Sequence, residues 1–145
     1  MLEQIKLELS EVGFFNESKI MDHIQSCFMD ASLYTNTFSD FFISDYLMGK
    51  DREAKSFFLF TLSTIFVFPK LLQQEELQVF SFLNSIHSLE IRKKSLEDPA
   101  APTHKSRYSA TVYLHGNKSF EMKSSGKNCS KAFRIVNQYF FPNLT

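Results

Sequence analysis

The clearest fold signal in this chain is "YSATVYLHGNKSFEMKSSGKNCSKAFRIVNQYFFPNLT", which runs from Tyr108 to Thr145. Apolar and polar residues alternate up to Leu114, and this period of two is typical of a half-buried strand. A turn at Gly116–Asn117 follows, and the alternation resumes over Lys118–Lys123. Two alternating runs joined by a glycine-containing turn predict a β-hairpin.

The residues after the hairpin change from a strand pattern to a helix pattern. The polar run "SSGKNCS" is followed by apolar residues at helical spacing over about 129–141, and Pro142 ends the segment. Ser125 or Asn128 is a plausible N-cap, since short polar side chains accept hydrogen bonds from the first helical amides. We expect the buried stripe of this helix to consist of Ala132, Phe133, Val136, Tyr139 and Phe140.

The middle of the chain contains a dense apolar segment, "SFFLFTLSTIFVF" (56–68). Aromatic and β-branched residues predict two strands here, with a tight turn at 62–64, and an open edge of this composition would aggregate. We therefore expect the segment to be central and covered. Residues 75–91 fit either a strand buried on both faces or a helix, whereas 95–106, with two prolines, predicts a loop.

The N-terminal part predicts three amphipathic helices, over 2–12, 16–32 and 37–50, with "KDREAK" as a solvated linker behind them. Gly13 is placed to end the first helix. The resulting fold class is α+β: a helical segment (2–48) with a mostly antiparallel sheet or small barrel, closed by a C-terminal helix. At 145 residues the chain has the length of a single domain, 1–145.

The composition is that of a globular protein with a large core. Hydrophobic residues make up 43% of the chain, with 17 phenylalanines and no tryptophan. The longest apolar stretch, 57–72, is shorter than the roughly 20 residues that span a bilayer. The N-terminus lacks the pattern of a signal peptide, and Cys27 and Cys129 show no disulfide spacing. These features predict an intracellular protein, cytoplasmic or nuclear, that is not secreted.

Charge is divided unevenly along the chain. Residues 1–90 carry 13 acidic and 6 basic side chains, whereas 91–145 carry 10 basic and 3 acidic ones. Such asymmetry indicates either an acidic partner for the basic half or pairing between the two halves. We expect a basic binding face made of Arg92, Lys93, Lys94, Lys105, Arg107, Lys118, Lys123, Lys127, Lys131 and Arg134.

The sequence contains none of the common catalytic motifs. "SSGKNCS" lacks the glycine spacing and the Ser or Thr after lysine that a phosphate loop requires. There is no Gly-x-Ser-x-Gly, and the histidines show no metal-ligand spacing with one another or with cysteine. We therefore expect a chain that is not an enzyme and holds no cofactor or metal. The four histidines are His23, His87, His104 and His115.

Residues 56–141 resemble pleckstrin-homology-like domains, including the GRAM and bacterial relatives. "FFLFTLSTIFVFPK" is similar to an early strand pair of that family, and "VFSFLNSIHSLEIRKK" to the strand that carries spaced apolar residues, here Ile86, Leu89 and Ile91. "ATVYLHGNKSFEMKSS" and "SKAFRIVNQYFF" resemble the final hairpin and helix. The resemblance implies a twisted barrel capped by the C-terminal helix. It also implies peptide binding, since members without the lipid site commonly bind peptides.

Two other families share the strand–strand–helix ending. The segment is similar to the end of a TATA-binding-protein repeat, and to a double-stranded-RNA-binding domain through Lys127, Ser130 and Lys131. The favoured function is therefore a non-catalytic adaptor or complex subunit that binds a protein, peptide or acidic partner. Nucleic-acid binding through the basic C-terminal unit is the alternative. Binding of phosphoinositide or membrane headgroups is a third reading.

Overall fold

The computed structural model describes residues 1–73, 76–82 and 85–145. Within these ranges the chain is an α+β protein, with three α-helices and two sheets. Its internal contacts divide the chain into two compact units, Met1–Phe80 and Ser81–Thr145. Each unit combines strands with at least one helix. That the whole chain, 1–145, acts as one domain stays a prediction.

The bounds of the helices and strands differ from the expected ones mainly in the N-terminal half. The elements are α1 Leu2–Val12, α2 Glu17–Ser32, β1 Asp40–Met48, β2 Asp51–Phe60, β3 Thr64–Phe68, β4 Gln78–Ser81, β5 Ile86–Lys94, β6 Arg107–Leu114, β7 Lys118–Ser125 and α3 Asn128–Ile135.

The sheet of the first unit has the strand order β1-β2-β3-β4, and β1 and β3 both pair antiparallel with β2. Its central strand is buried on both faces, as successive residues Phe57, Phe58, Leu59 and Phe60 are all fully buried. Aromatic side chains suit such a strand because each face of the pleat offers an apolar surface. The predicted strand pair is confirmed, and residues 61–63 connect the two strands, one position earlier than the expected turn at 62–64.

The helices α1 and α2 cover one face of this sheet. Their buried stripes confirm the predicted periodicity, and Gly13 ends α1 with a left-handed φ of 84°, its N–H bonded to the Leu9 carbonyl at 3.1 Å. A continuous apolar core results. It contains Ile5, Leu9, Ile20, Ile24, Cys27 and Ala31 of the helices with Phe41, Ile43, Phe57, Leu59, Phe66 and Phe68 of the strands.

The predicted third helix is wrong, because 40–48 forms strand β1. The helical part of the first unit therefore ends at Ser32 rather than at residue 48. Six consecutive residues of β1 from Asp40 are buried, so no period of two is visible in the sequence. The prediction of a solvated linker at "KDREAK" is also wrong, since β2 begins at Asp51.

The second unit contains an antiparallel sheet in the order β5-β6-β7. Alternate residues of β6, Tyr108 to Leu114, face inward, and α3 packs on this inner face. In the helical turns after α3, the Phe140 ring lies 5.7 Å from the Phe120 ring of β7. The predicted hairpin is confirmed, and Gly116 has the positive φ, 87°, that its turn requires. The helical turns continue beyond α3 to Asn143.

Two details of the last helix correct the prediction. Phe133 is 37% exposed and Ile135 is fully buried, so Ile135 takes the place expected for Phe133 in the buried stripe. The N-cap is Lys127 rather than Ser125 or Asn128, and no side chain caps the helix. The other four predicted stripe residues are buried.

The two open questions about the middle of the chain are answered for the described residues. The segment 75–91 contains β4 and the start of β5, so the helix alternative is wrong. The strand alternative is right in type, but there are two strands and neither is buried on both faces. Residues 75, 83 and 84 lie outside the described part. The expected loop 95–106 contains no helix or strand. The described strands form two open sheets rather than a closed barrel.

Candidate binding surface at the basic end of the second unit

All ten predicted basic residues lie in the second unit, and each is at least partly exposed. The strand register brings five of them to one end of the β5-β6-β7 sheet, where Lys94 pairs with Arg107, and Arg107 with Ser125. Two more, Lys105 before β6 and Lys127 after β7, lie just beyond the strands at the same end. This end is called the basic end. It consists of Arg92, Lys93, Lys94, Lys105, Arg107, Lys123 and Lys127.

Four of these bases share the outer face of the sheet, opposite α3. Lys94 and Arg107 form the last row across the strands, and Arg92, Ser109 and Lys123 form the row before it. Side chains directly opposite one another in an antiparallel pair lie close together. Adjacent like charges in the last row repel one another, so an anion bound there would relieve this repulsion.

The next row along the outer face is acidic. Glu90 and Glu121 flank Thr111. The Arg92 Nε lies 2.8 Å from Glu90 Oε1, and the Lys123 Nζ lies 3.5 Å from Glu121 Oε1. Both pairs are exposed to solvent, where ion pairs contribute little to stability. They nevertheless offset part of the positive charge on the face, which leaves the excess charge in the last row.

The loop before β6 holds Arg107 at the basic end. The Arg107 Nη1 donates to the carbonyls of His104 at 3.0 Å and Ser106 at 2.8 Å. The two ends of the loop are joined, because Ser106 Oγ donates to the Ser95 carbonyl at 2.9 Å, and its middle is held to α3, because Ser130 Oγ donates to the Pro99 carbonyl at 2.8 Å. The guanidinium therefore has a defined position beside exposed Lys105.

The other three predicted residues lie apart from the basic end. Lys131 and Arg134 are on α3, where Arg134 Nη1 donates to Gln138 Oε1 at 2.8 Å. Lys118 lies beside the Gly116 turn, at the opposite end of the sheet. The structure thus divides the predicted face into one cluster, one helical pair and one distant residue.

Strand β5 provides a second feature of the surface, an open edge. It is the terminal strand of its sheet, and it is paired with β6 on one side. On the other side Leu144 forms a parallel bridge with Ile86, and Thr145 N donates to the Ile86 carbonyl at 3.1 Å. No described strand pairs with this edge beyond Ile86. Backbone groups along 87–94 can therefore accept an added strand.

The first unit contains an open groove of about 670 Å³. The described lining residues offer hydroxyl groups and aromatic rings and include no Asp, Glu, His, Lys or Arg side chain. The lining residues are Tyr34, Thr35, Thr37, Phe38, Ser39, Thr61, Leu62, Ser63, Thr64, Phe66 and Val79.

Tyr108, which pairs with Lys93, makes the stability of the fold depend on pH. Burial raises the pKa of Tyr108 to about 12. In the unfolded chain the phenol ionises near pH 10. The stability that the buried, neutral phenol contributes is therefore fully present below about pH 10 and is lost as the pH rises from about 10 to 12. We expect raising the pH from 9 to 11 to destabilise the wild type by about 1 kcal/mol more than Tyr108→Phe. Urea unfolding at both pH values measures this; equal losses in the two proteins would contradict it.

The described residues contain no group of three or more His, Cys, Asp and Glu side chains arranged to hold a metal ion. The structure does bring two histidines together, His87 of β5 and His115 after β6, whose ring centroids are 5.5 Å apart. They are separated by 28 positions in the sequence, so no spacing motif could have indicated the pair. Both cysteines are buried.

A scan against the profiles of known protein families finds no match for this chain. No curated protein is significantly similar to it in sequence. Among the described helices, none combines the length and apolar character needed to cross a lipid bilayer.

Proposed function

We propose that the chain is a non-catalytic intracellular interaction module of the pleckstrin-homology-like class. Its basic end and the β5 edge together bind an extended, acidic segment of a partner protein. The module acts as an adaptor or as one subunit of a larger assembly.

The order of elements supports the class. The resemblance implies strands, a loop, a final hairpin and a closing helix, and α3 packs on the inner face of the β6–β7 hairpin. Contact between the Tyr108 and Phe133 rings, 6.0 Å apart, and between Phe120 and Phe140 joins helix and hairpin. The first described strand begins at Asp40, whereas the segment that resembles this class begins at residue 56.

One observation carries the choice of ligand: the open β5 edge ends in the basic residues Arg92, Lys93 and Lys94. An extended peptide can add to such an edge through main-chain hydrogen bonds, while side chains along the strand select its sequence. The chain already uses this edge once, where Leu144 bridges to Ile86. Bases beside the edge favour carboxylates on the added strand.

The acidic row on the outer face favours a peptide over nucleic acid. A phosphate backbone is attracted by uninterrupted basic surface, since each neutralised phosphate releases counterions. On this face Glu90 and Glu121 interrupt the bases and pair with Arg92 and Lys123. A peptide adding along β5 can place its carboxylates beside Arg92, Lys93 and Lys94 and an uncharged or basic residue beside Glu90.

We expect a display library of unstructured ten-residue peptides to yield acidic, extended binders. Changing Arg92, Lys93 and Lys94 together to alanine should weaken the selected peptide at least about tenfold, about 1.4 kcal/mol. Lys118→Ala is the matched control, because Lys118 lies at the other end of the same sheet. Fluorescence anisotropy measures the affinities, and amide hydrogen exchange should show protection confined to 87–94.

The competing functions are separated in the same assay. Labelled DNA and RNA oligonucleotides, single-stranded and duplex, are titrated at about 50 and 200 mM salt, where phosphate contacts lose most of their affinity. Oligonucleotide binding that is tighter than peptide binding at both salts, and that weakens when Lys127, Lys131 and Arg134 become alanine, would replace the peptide proposal with nucleic acid. Preferential binding to phosphoinositide-containing vesicles would replace it with a membrane surface.

A further inference from the structure

The histidine pair lies at the end of the second unit's sheet opposite to the basic end. His87 and His115 are both exposed, and their rings meet edge to face with an interplanar angle of 74°. His115 follows β6, and its backbone N–H donates to the Ser85 carbonyl at 3.3 Å. The backbone on both sides of the pair is thus held by the sheet.

An irregularity in β5 places His87 beside His115. The register pairs Ile86 with Leu114 and then Ser88 with Tyr113, so His87 is an extra residue on its strand. Such a β-bulge changes the direction of a side chain and is over-represented beside functional sites. The bulge brings two imidazoles together that a regular register would not place opposite each other.

The spacing of the rings suits a shared metal ion. With metal–nitrogen bonds of about 2.0–2.1 Å, the ion lies about 3.2 Å from each ring centroid. At tetrahedral or octahedral angles the two centroids are then about 4.5–5.2 Å apart. The observed separation of 5.5 Å is close to this range. Rotation of two exposed rings about their side-chain bonds is sufficient to point one nitrogen of each at a common centre.

We propose that His87 and His115 form a binding site for a divalent transition-metal ion, Cu²⁺ or Zn²⁺. Imidazole nitrogens suit these ions, whereas Mg²⁺ and Ca²⁺ prefer oxygen ligands. Two protein ligands leave further coordination positions open on the exposed side, where water completes the shell. The thiols of Cys27 and Cys129 are fully buried and do not compete for the ion in the folded chain.

The first test uses the wild-type chain and Cu²⁺ alone. Substoichiometric Cu²⁺ is paramagnetic and broadens the NMR signals of nearby nuclei. We expect the amide signals of residues 86–88 and 114–116 to disappear first, before those around His23 and His104. Broadening that begins equally at all four histidines would overturn the proposal, and this readout requires no variant to fold.

The second test measures the affinity of variants by titration calorimetry with Zn²⁺, with Mg²⁺ as the negative control. A chelating pair gains avidity over one imidazole, so His87→Ala and His115→Ala should each weaken binding on the order of 10²-fold. The two losses should not be additive, because each single variant already removes the chelate and the double variant loses in addition only the weak binding of one imidazole. His104→Ala, which removes an exposed histidine from the 95–106 loop, should leave the affinity unchanged. Equal losses in all three single variants would contradict a shared site.

Discussion

Changing Arg52 to alanine is expected to lower the free energy of unfolding by about 3–5 kcal/mol, because it leaves a buried carboxylate without its cation. The Arg52 Nε lies 3.5 Å from Asp45 Oδ2, and the two side chains are 13% and 0% exposed. The Arg52 Nη1 also donates to the Val12 carbonyl at the end of α1. Its own backbone carbonyl accepts from Phe15 N at 2.7 Å, so this residue joins the helices to the sheet.

The exposed pair Arg92–Glu90 provides the matched control. Its side chains are 80% and 44% exposed, and Arg92→Ala should cost under about 1 kcal/mol. Chemical denaturation followed by circular dichroism measures both changes. The double variant Asp45→Leu/Arg52→Met should be more stable than Arg52→Ala, since it removes both charges together. A loss under about 1 kcal/mol for Arg52→Ala would contradict the role of Arg52 as the cation on which buried Asp45 depends.

The second large effect is expected for Phe57→Ala, which should destabilise the chain by about 3–5 kcal/mol. Phe57 is fully buried, and its ring lies 6.2 Å from Phe28 of α2 and 6.0 Å from Phe68 of β3. Truncation removes both ring contacts and leaves a cavity that the neighbouring strands cannot fill without moving. The same denaturation experiment measures the loss.

Leu62→Ala is the control for this change. Leu62 lies in the β2–β3 turn, five positions along the chain, and is 84% exposed, so its truncation should stay within about 0.5 kcal/mol. A cost for Phe57→Ala as small as that for Leu62→Ala would contradict the assignment of Phe57 to the centre of the core.

Elements with one buried face were predictable. The β6–β7 hairpin, α1, α2 and the last helix each show a clean period, because polar residues mark the exposed side. Prediction from the period was wrong at β1, where Phe41, Phe42 and Ile43 are all buried. It also missed the start of β2, whose first residue, Asp51, is charged. A strand covered on both faces has no polar side from which its period can be recognised.

The candidate surface was predictable as a charge excess but not as a shape. All ten bases are at least partly exposed, as lysine and arginine side chains seldom tolerate burial. Their grouping depends on register: Lys94 meets Arg107 because β5 and β6 run antiparallel, and the same pairing carries Lys118 to the far end. Register is a property of the folded sheet, which composition does not contain.

By itself the amino-acid sequence determined the α+β fold class, the approximate positions of α1, α2, α3 and the β6–β7 hairpin, and the separation of acidic from basic residues along the chain. These follow from local periodicity and composition. Tertiary structure alone brought Asp45 to Arg52 across the β1–β2 hairpin, left the β5 edge open among the described strands and placed His87 beside His115. Each of these depends on how strands pair, because backbone hydrogen bonds and bulges decide which side chains meet.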